Sequence, residues 1–308
     1  MTDRQILPRL DVLGLGCATV DDLLYVDGYP PSDVKTRIIR SERQCGGLTA
    51  TALVSAARFG AKCAYAGQLG ENDLSRFVES ALHAEGIETL VKVDGASPIH
   101  STIIVDVRHH TRNIFFEIAG PTGASESLPS EEVIRSARVL FVDHYGIPGN
   151  LRAIEIARAA GIPVVADVER DNVDGFYDML PLIDHLIVSR RFAAHLTGRD
   201  DPAEAVLALI NGRQVAVVTD GERGCWFVDD DFDARHQPAF PVNVVDTTGC
   251  GDVFHGVYAA ALAEGLDIDR RVLAASAAAA LKATQPGAQR GIPHRADVEA
   301  SLTRRRQL

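Results

Sequence analysis

The segment that most constrains this chain is Asp246-Thr247-Thr248-Gly249-Cys250-Gly251-Asp252, set between a strand-like Val242 to Val245 and a helical pattern. Two glycines spaced by one residue let the backbone turn its amides outward, and the first turn of a helix adds unpaired N–H groups and a positive dipole end. Such a nest binds an anion. An acid placed there, Asp252, would repel a phosphate as a direct ligand. Its natural role is to accept the proton of a hydroxyl that attacks phosphorus while the nest holds the charge on the transferring group. On spacing alone, the weaker alternative is that Asp246 and Asp252 merely cap a turn and a helix.

The rest of the chain fits an α/β frame. Short β-branched runs at Val12 to Leu15, Ala64 to Leu69, Val139 to Val142, Pro163 to Ala166, His185 to Val188 and Val215 to Thr219 alternate with helical patterns, which predicts βαβ units around a mainly parallel sheet. Leu53, Ala56, Ala57 and Gly60 mark one face of a helix that starts after Gly46 and Gly47, and Val253 to Ala263 and Arg271 to Ala283 predict a closely packed Ala-rich helix pair. Two stretches, 23–43 and 99–118, have strand character without room for crossover helices, which predicts a small β lid on a single domain spanning 1–308. No repeat or Pro-rich linker divides the chain. His109 and His110 read as polar turn residues, Asp229 to Asp233 as a hairpin loop, and only Arg304 to Leu308 as a loose tail.

Charge and cysteine content exclude several classes. With 31 Lys and Arg against 42 Asp and Glu, a net of −11, the chain lacks the basic face that nucleic acid requires. The five cysteines, Cys17, Cys45, Cys63, Cys225 and Cys250, are odd in number and hold no zinc-type spacing, so they read as free thiols of a reducing compartment. Cys250, in the glycine loop, reads as packing or as a low-pKa thiol at a helix start. No run reaches the ~18 apolar residues of a membrane span, and Met1 to Leu10 has charges and a proline where a signal peptide is expected to have an apolar stretch. The expected location is cytoplasmic. No GxxxxGK[ST] occurs, and Gly14 with Gly16 is only half of a dinucleotide fingerprint.

Asp246 to Asp252, with Val253, Phe254 and Gly256, resembles the C-terminal DTxGxGD signature of the PfkB, or ribokinase-like, carbohydrate kinases, with Cys250 at a position that is usually Ala. Gly46 and Gly47 before a helix, then Gly60, Ala61, Gly67 and Gly70, resemble the N-terminal signature in order and spacing. The resemblance runs from Gly14 to Pro293 and implies a three-layer α/β/α sandwich with a β lid. It also implies Asp252 as catalytic base and the amides of Gly249, Cys250 and Gly251 as anion hole, with ATP and Mg²⁺ as cosubstrate and metal and a monovalent cation, K⁺, allowed. Thr219, Gly221 and Gly224 match the turn bordering the nucleotide, though that turn also reads as a plain hairpin. Gly287 and Ala288 match the loop near the adenine.

For the sugar, the resemblance implies Asp21, Gly46, Gly47 and Thr51, the last where the family usually has Asn. The family's NxxE motif is replaced by Ser189-Arg190-Arg191-Phe192, so Asp167 and Glu169 become the expected Mg²⁺ carboxylates, acting through water. Tyr29 to Arg37 and Val164 to Arg170 look like ketohexokinase. His236 to Phe240, Val244 to Gly256 and Gly291 to Pro293 look more like bacterial sulfofructose kinase. Lys35 matches a sulfonate-binding lysine of the latter, but His144 stands for its arginine and Glu117 for an asparagine, so sulfonate specificity is not carried over. The reading is an ATP-dependent kinase of a primary sugar hydroxyl, of a ketose first, working as a homodimer through the lid. A nucleoside kinase of the same fold and a sugar-binding sensor stay open as alternatives.

Overall fold

The computed structural model describes residues 9–109 and 111–306; His110, the segment 1–8 and the last two residues lie outside it, as do the readings made on them, and nothing is described of the side chains of 305 and 306. Thirteen strands follow in chain order: β1 (Leu10–Leu15), β2 (Thr19–Val26), β3 (Arg40–Gly46), β4 (Cys63–Tyr65), β5 (Glu88–Thr89), β6 (Ile99–Asp106), β7 (Thr111–Glu117), β8 (Ala137–Asp143), β9 (Val164–Asp167), β10 (His185–Ser189), β11 (Val215–Thr219), β12 (Cys225–Val228) and β13 (Arg235–Gln237). The helices are α1 (Leu48–Arg58), α2 (Asp73–Ala84), α3 (Glu131–Arg135), α4 (Ile147–Ala159), α5 (Phe176–Met179), α6 (Arg190–Thr197), α7 (Pro202–Leu209), α8 (Cys250–Ala263), α9 (Ile268–Ala283) and α10 (Arg295–Arg306).

The main sheet has nine strands in the order β13-β12-β11-β10-β9-β8-β1-β4-β5. All neighbouring pairs are parallel except those made by β12 with β11 and with β13. Strand alternation builds two cores. Val12, Val139, Phe141, Val165, Ile187 and Val217 face one way, toward α1, α8 and α9. Leu13, Leu140, Val142, Val164, Leu186 and Val218 face the other, toward α4, α6 and α7. A parallel sheet covered on both faces needs such near-continuous apolar strands, and each buried Val, Leu or Ile contributes about 1.5–3 kcal/mol. The three-layer expectation is met.

The Ala-rich faces of α8 and α9 pack as expected, with Ala259, Ala260, Ala261, Ala275, Ala277 and Ala278 fully buried. Helices α1 and α8 approach backbone to backbone. A Cβ added to Gly256 would lie 2.0 Å from the Ala52 carbonyl oxygen, so no other residue fits there. Ser55 Oγ also crosses this contact to the Val253 carbonyl oxygen at 3.1 Å.

The second sheet, in the order β3-β2-β6-β7, is the lid. β2 runs antiparallel to β3 and parallel to β6, and β6 runs antiparallel to β7. It starts at Thr19, earlier than expected, because β2 continues almost directly from β1. The stretch 27–39 holds no strand. Two other expectations need correction. Val242 to Val245 forms no strand, since nothing pairs with it beyond a Val245 amide bond to the Ala283 carbonyl oxygen at 2.8 Å, and Val244 and Val245 are exposed. The predicted strand from Ala64 to Leu69 stops at Tyr65, leaving Gly67 and Leu69 in isolated bridges. Asp229 to Asp233 does connect β12 to β13 as a hairpin loop.

Candidate active site

Strands β1, β8, β9, β10 and β11 are parallel and end on one side of the sheet, where open α/β sheets place their ligands. Between these ends and the lid lies a cavity of about 1160 Å³. Asp21, Gln44, Gly47, Ser101 and Arg112 line it from the lid side. His144, Glu169, Arg170, Asp246, Thr248, Asp252, Gly287 and Ala288 line it from the sheet side.

Gly249 precedes α8 at φ +79°, a left-handed turn that disfavours any side chain and swings the following amides toward the helix mouth. The Cys250 N–H turns back onto the Thr247 carbonyl oxygen at 3.2 Å. The amides of Gly249, Gly251 and Asp252 have no acceptor among the described residues. The open donors of the nest therefore differ from the expected set: the Asp252 amide joins, and that of Cys250 is already used. Asp246 holds this loop against the next one. Its Oδ1 accepts the Thr248 amide and its Oδ2 the Gly287 amide, both at 2.9 Å.

Sequence and fold have brought the signature residues into this arrangement, and family comparison agrees. Residues 14–295 match the pfkB family carbohydrate kinases. The chain belongs to that family. Ribokinase of Haemophilus influenzae is 30% identical over 264 residues, covering 81% of this chain and 84% of the relative. Fructokinase of Klebsiella pneumoniae is 28% identical, covering 84% and 92%. The structure of Arabidopsis thaliana ribokinase complexed with ribose and ATP has the same fold, at a TM-score of 0.84 and 22% identity, over 96% of this chain and 99% of that one. The chain is thus a sugar kinase, a phosphotransferase with an alcohol acceptor.

In this kinase the base candidate, half-buried in the cavity wall, sits among carboxylates of which Asp143 and Asp167 are buried and Glu169 is exposed. Burial, followed by the charges of Asp167 and Glu169, holds the Asp252 carboxyl well above the usual carboxylate range. A carboxylate with raised proton affinity suits an acceptor of a hydroxyl proton. Asp167 is raised by burial and then by Glu169 and Asp143, and Asp143 itself is pushed up to about 6 by burial. Sequence reasoning missed Asp143, which accepts the Cys17 amide at 2.7 Å, the Thr49 hydroxyl at 2.8 Å and the Tyr145 amide at 2.7 Å, tying β8 to the start of α1. It also missed His255, whose Nδ1 meets the Gly251 carbonyl oxygen at 2.8 Å and whose Nε2 meets that of Ile187 at 3.0 Å. One turn after Asp252, that position was the only available signal.

Other expected residues are placed unevenly. Asp21 is raised by burial and accepts the Thr19 hydroxyl at 3.1 Å, facing the cavity from the lid. Gly47 lines the cavity as N-cap of α1, and Gly46 is buried beside Asp21. Thr51 does not reach the cavity: it is 1% exposed and its hydroxyl accepts from Gln289 Nε2 at 3.2 Å, because α1 turns it into the helix layer. Lys35 stands exposed in 27–39, away from the cavity wall, and Glu117 is exposed, with Oε1 3.4 Å from His100 Nδ1. Thr219, Gly221 and Gly224 lie at the carboxyl end of β11, outside the cavity wall, in a turn that also closes a hairpin to β12.

Asp167 is turned inward, 3% exposed, with Oδ2 3.4 Å from His255 Nδ1, which leaves Glu169 the more accessible of the two expected carboxylates. Glu169, exposed in the cavity, is the carboxylate that fits a largely hydrated Mg²⁺. Burial pushes the Cys250 thiol up, which removes the low-pKa reading. Arg170 Nε donates to His144 Nε2 at 2.8 Å, its other arm reaches the Tyr145 hydroxyl, and burial pushes His144 down to about 3. Arg112 crosses from the lid to the Thr248 hydroxyl, which joins lid and anion loop directly.

Proposed function

We propose that this sugar kinase transfers the γ-phosphoryl group of MgATP to a primary hydroxyl of a ketose. The observation that carries the reading is Asp252, half-buried in the cavity wall beside the open amides of Gly249 and Gly251, across one cavity from Asp21. Asp21 would accept two hydroxyl hydrogens of the sugar and orient it, and Asp252 would take the proton of the attacking hydroxyl. The open amides and Arg112 would hold charge on the transferring group, with Arg170 the second guanidinium of the cavity. Thr219, Gly221 and Gly224, with Gly287 and Ala288, would border the nucleotide. Mg²⁺ bound through Glu169 would neutralise phosphate charge. The lid would exclude water and so suppress ATP hydrolysis. The fructokinase relative and the ketohexokinase-like stretches support a ketose, and the ribokinase relative is the reason ribose stands beside it in the test.

The test is ADP release with MgATP across fructose, tagatose, sulfofructose, ribose, deoxygluconate-type acids and adenosine, with Asp252→Asn as blank. Saturable turnover on a ketose, absent in the blank, is expected. Turnover on ribose or adenosine alone overturns the ketose assignment, and silence on every acceptor with ATP still bound favours a sensor.

The same reading includes a homodimer through the lid. β7 is an edge strand exposed along its whole length, with Phe115 55% and Phe116 58% exposed, and such an edge is ordinarily covered. Light scattering after size exclusion is expected to give twice the 33.1 kDa chain mass, falling to one chain in Phe115→Asp. A monomeric parent chain would end the idea.

A further inference from the structure

A lysine ammonium is almost never fully buried without a counter-charge at hand, because desolvation of the ion is costly. Lys282, in the last turn of α9, is 0% exposed. Its Nζ donates to two backbone carbonyl oxygens, those of Asp246 at 2.8 Å and Gln285 at 3.2 Å. These acceptors belong to the two loops that Asp246 also staples through its carboxylate, the one leading to the anion nest and the one carrying Gly287 and Ala288. A cation ringed by loop carbonyls is how a protein holds a monovalent metal ion. Here the two carbonyls are already taken by a tethered ammonium, so a dissociable K⁺ does not fit at them. Burial lowers the Lys282 pKa, and the nearby Asp246 carboxylate opposes that shift.

We propose that Lys282 is a built-in monovalent cation, a positioning residue whose ammonium fixes the Asp246 and Gln285 carbonyls and so aims the anion nest, making phosphoryl transfer independent of potassium. The catalytic part of this inference rests on the kinase reading above; the occupancy of the two carbonyls by Lys282 does not.

Two readouts separate these parts. Thermal unfolding of the parent chain in 100 mM KCl or in 100 mM tetramethylammonium chloride, which cannot enter such a site, is expected to give the same Tm. In Lys282→Met, KCl is expected to raise Tm above the tetramethylammonium value. For turnover on whichever acceptor the panel identifies, parent kcat is expected to be equal in the two salts, and Lys282→Met is expected to lose roughly 10²-fold in kcat with little change in sugar KM. Added K⁺ or ammonium is expected to restore at least roughly tenfold of that loss, which a merely structural lysine would not allow. A parent chain whose Tm or kcat rises specifically with K⁺ overturns the proposal, as does Lys282→Met with parent kcat or with no response to cations. If Lys282→Met does not fold, the parent's response to K⁺ decides. A parent chain silent on every acceptor sinks the kinase reading, while the Tm comparison still tests the site.

Discussion

Asp252→Asn is expected to lower kcat by roughly 10²–10⁴-fold, the usual contribution of a positioned general base, while the fold and ATP binding persist. The amide has nearly the carboxylate's shape, so the first turn of α8 and its open N–H groups should stay in place. What is lost is the ability to take a proton from the sugar hydroxyl as it attacks. The substitution also removes one charge from a carboxylate cluster made with the buried Asp167 and Asp143 and the exposed Glu169, each of which raises another member's proton affinity. A group whose folded pKa is raised binds more protons folded than unfolded, so it weakens the fold as pH rises through the interval between the two pKa values. Removing it should therefore leave Tm at pH 8 equal to or above that of the parent. Steady-state ADP release, calorimetric ATP binding and thermal unfolding check the three parts. A kcat within about fivefold of the parent would remove Asp252 from the role of base.

Gly256→Val is expected to be the most damaging single change outside the site. A Cβ at this position would meet the Ala52 carbonyl oxygen at 2.0 Å and Ser55 Cβ at 2.8 Å, and backbone cannot rotate away as a side chain can. Overpacking of a tight core costs about 1–3 kcal/mol and sometimes more, and with two further methyl groups in this contact the upper end applies. At about 3 kcal/mol, Tm should fall by roughly 4–6 °C in a chain of 308 residues. The damage should extend to catalysis, since α8 carries Asp252 and α1 starts at Gly47 in the cavity wall. Thermal unfolding followed by circular dichroism measures this directly. An unchanged Tm would mean that the two helices separate more easily than their packing indicates.

The parallel sheet was legible because its strands are apolar on both faces, and that composition survives reading without coordinates. The lid was legible because 99–118 has no room for a crossover helix. Its true start at Thr19 was not, since β2 and β1 run together in sequence with only Gly16 to Ala18 between them. Val242 to Val245 shows the opposite failure. Its β-branched residues carry strand propensity, but no partner strand lies beside them, and propensity without pairing does not make a strand.

At the site, the motif itself named Asp252, Asp246 and the glycine turn, because their chemistry depends on spacing within one loop. The surroundings of Thr51, Lys35 and Asp167 were not legible, because each required knowing which way a side chain faces across distant elements. Thr51 turns toward Gln289, Lys35 stands in solvent, and Asp167 lies behind Asp252 against His255. Asp143, His255 and Lys282 were invisible for a related reason: each acts on backbone groups of other segments, and such partners leave no pattern in side-chain spacing.

The sequence by itself thus determined the layered α/β frame, the anion nest and its acid, since periodicity and a contiguous loop are local properties of the chain. Only the tertiary structure decided which carboxylates cluster, which amides remain open, and that the Lys282 ammonium bonds the Asp246 and Gln285 carbonyls behind the nest. Burial, proton affinity and hydrogen-bond completion depend on what surrounds a group in space, and residues far apart in the chain supply those surroundings.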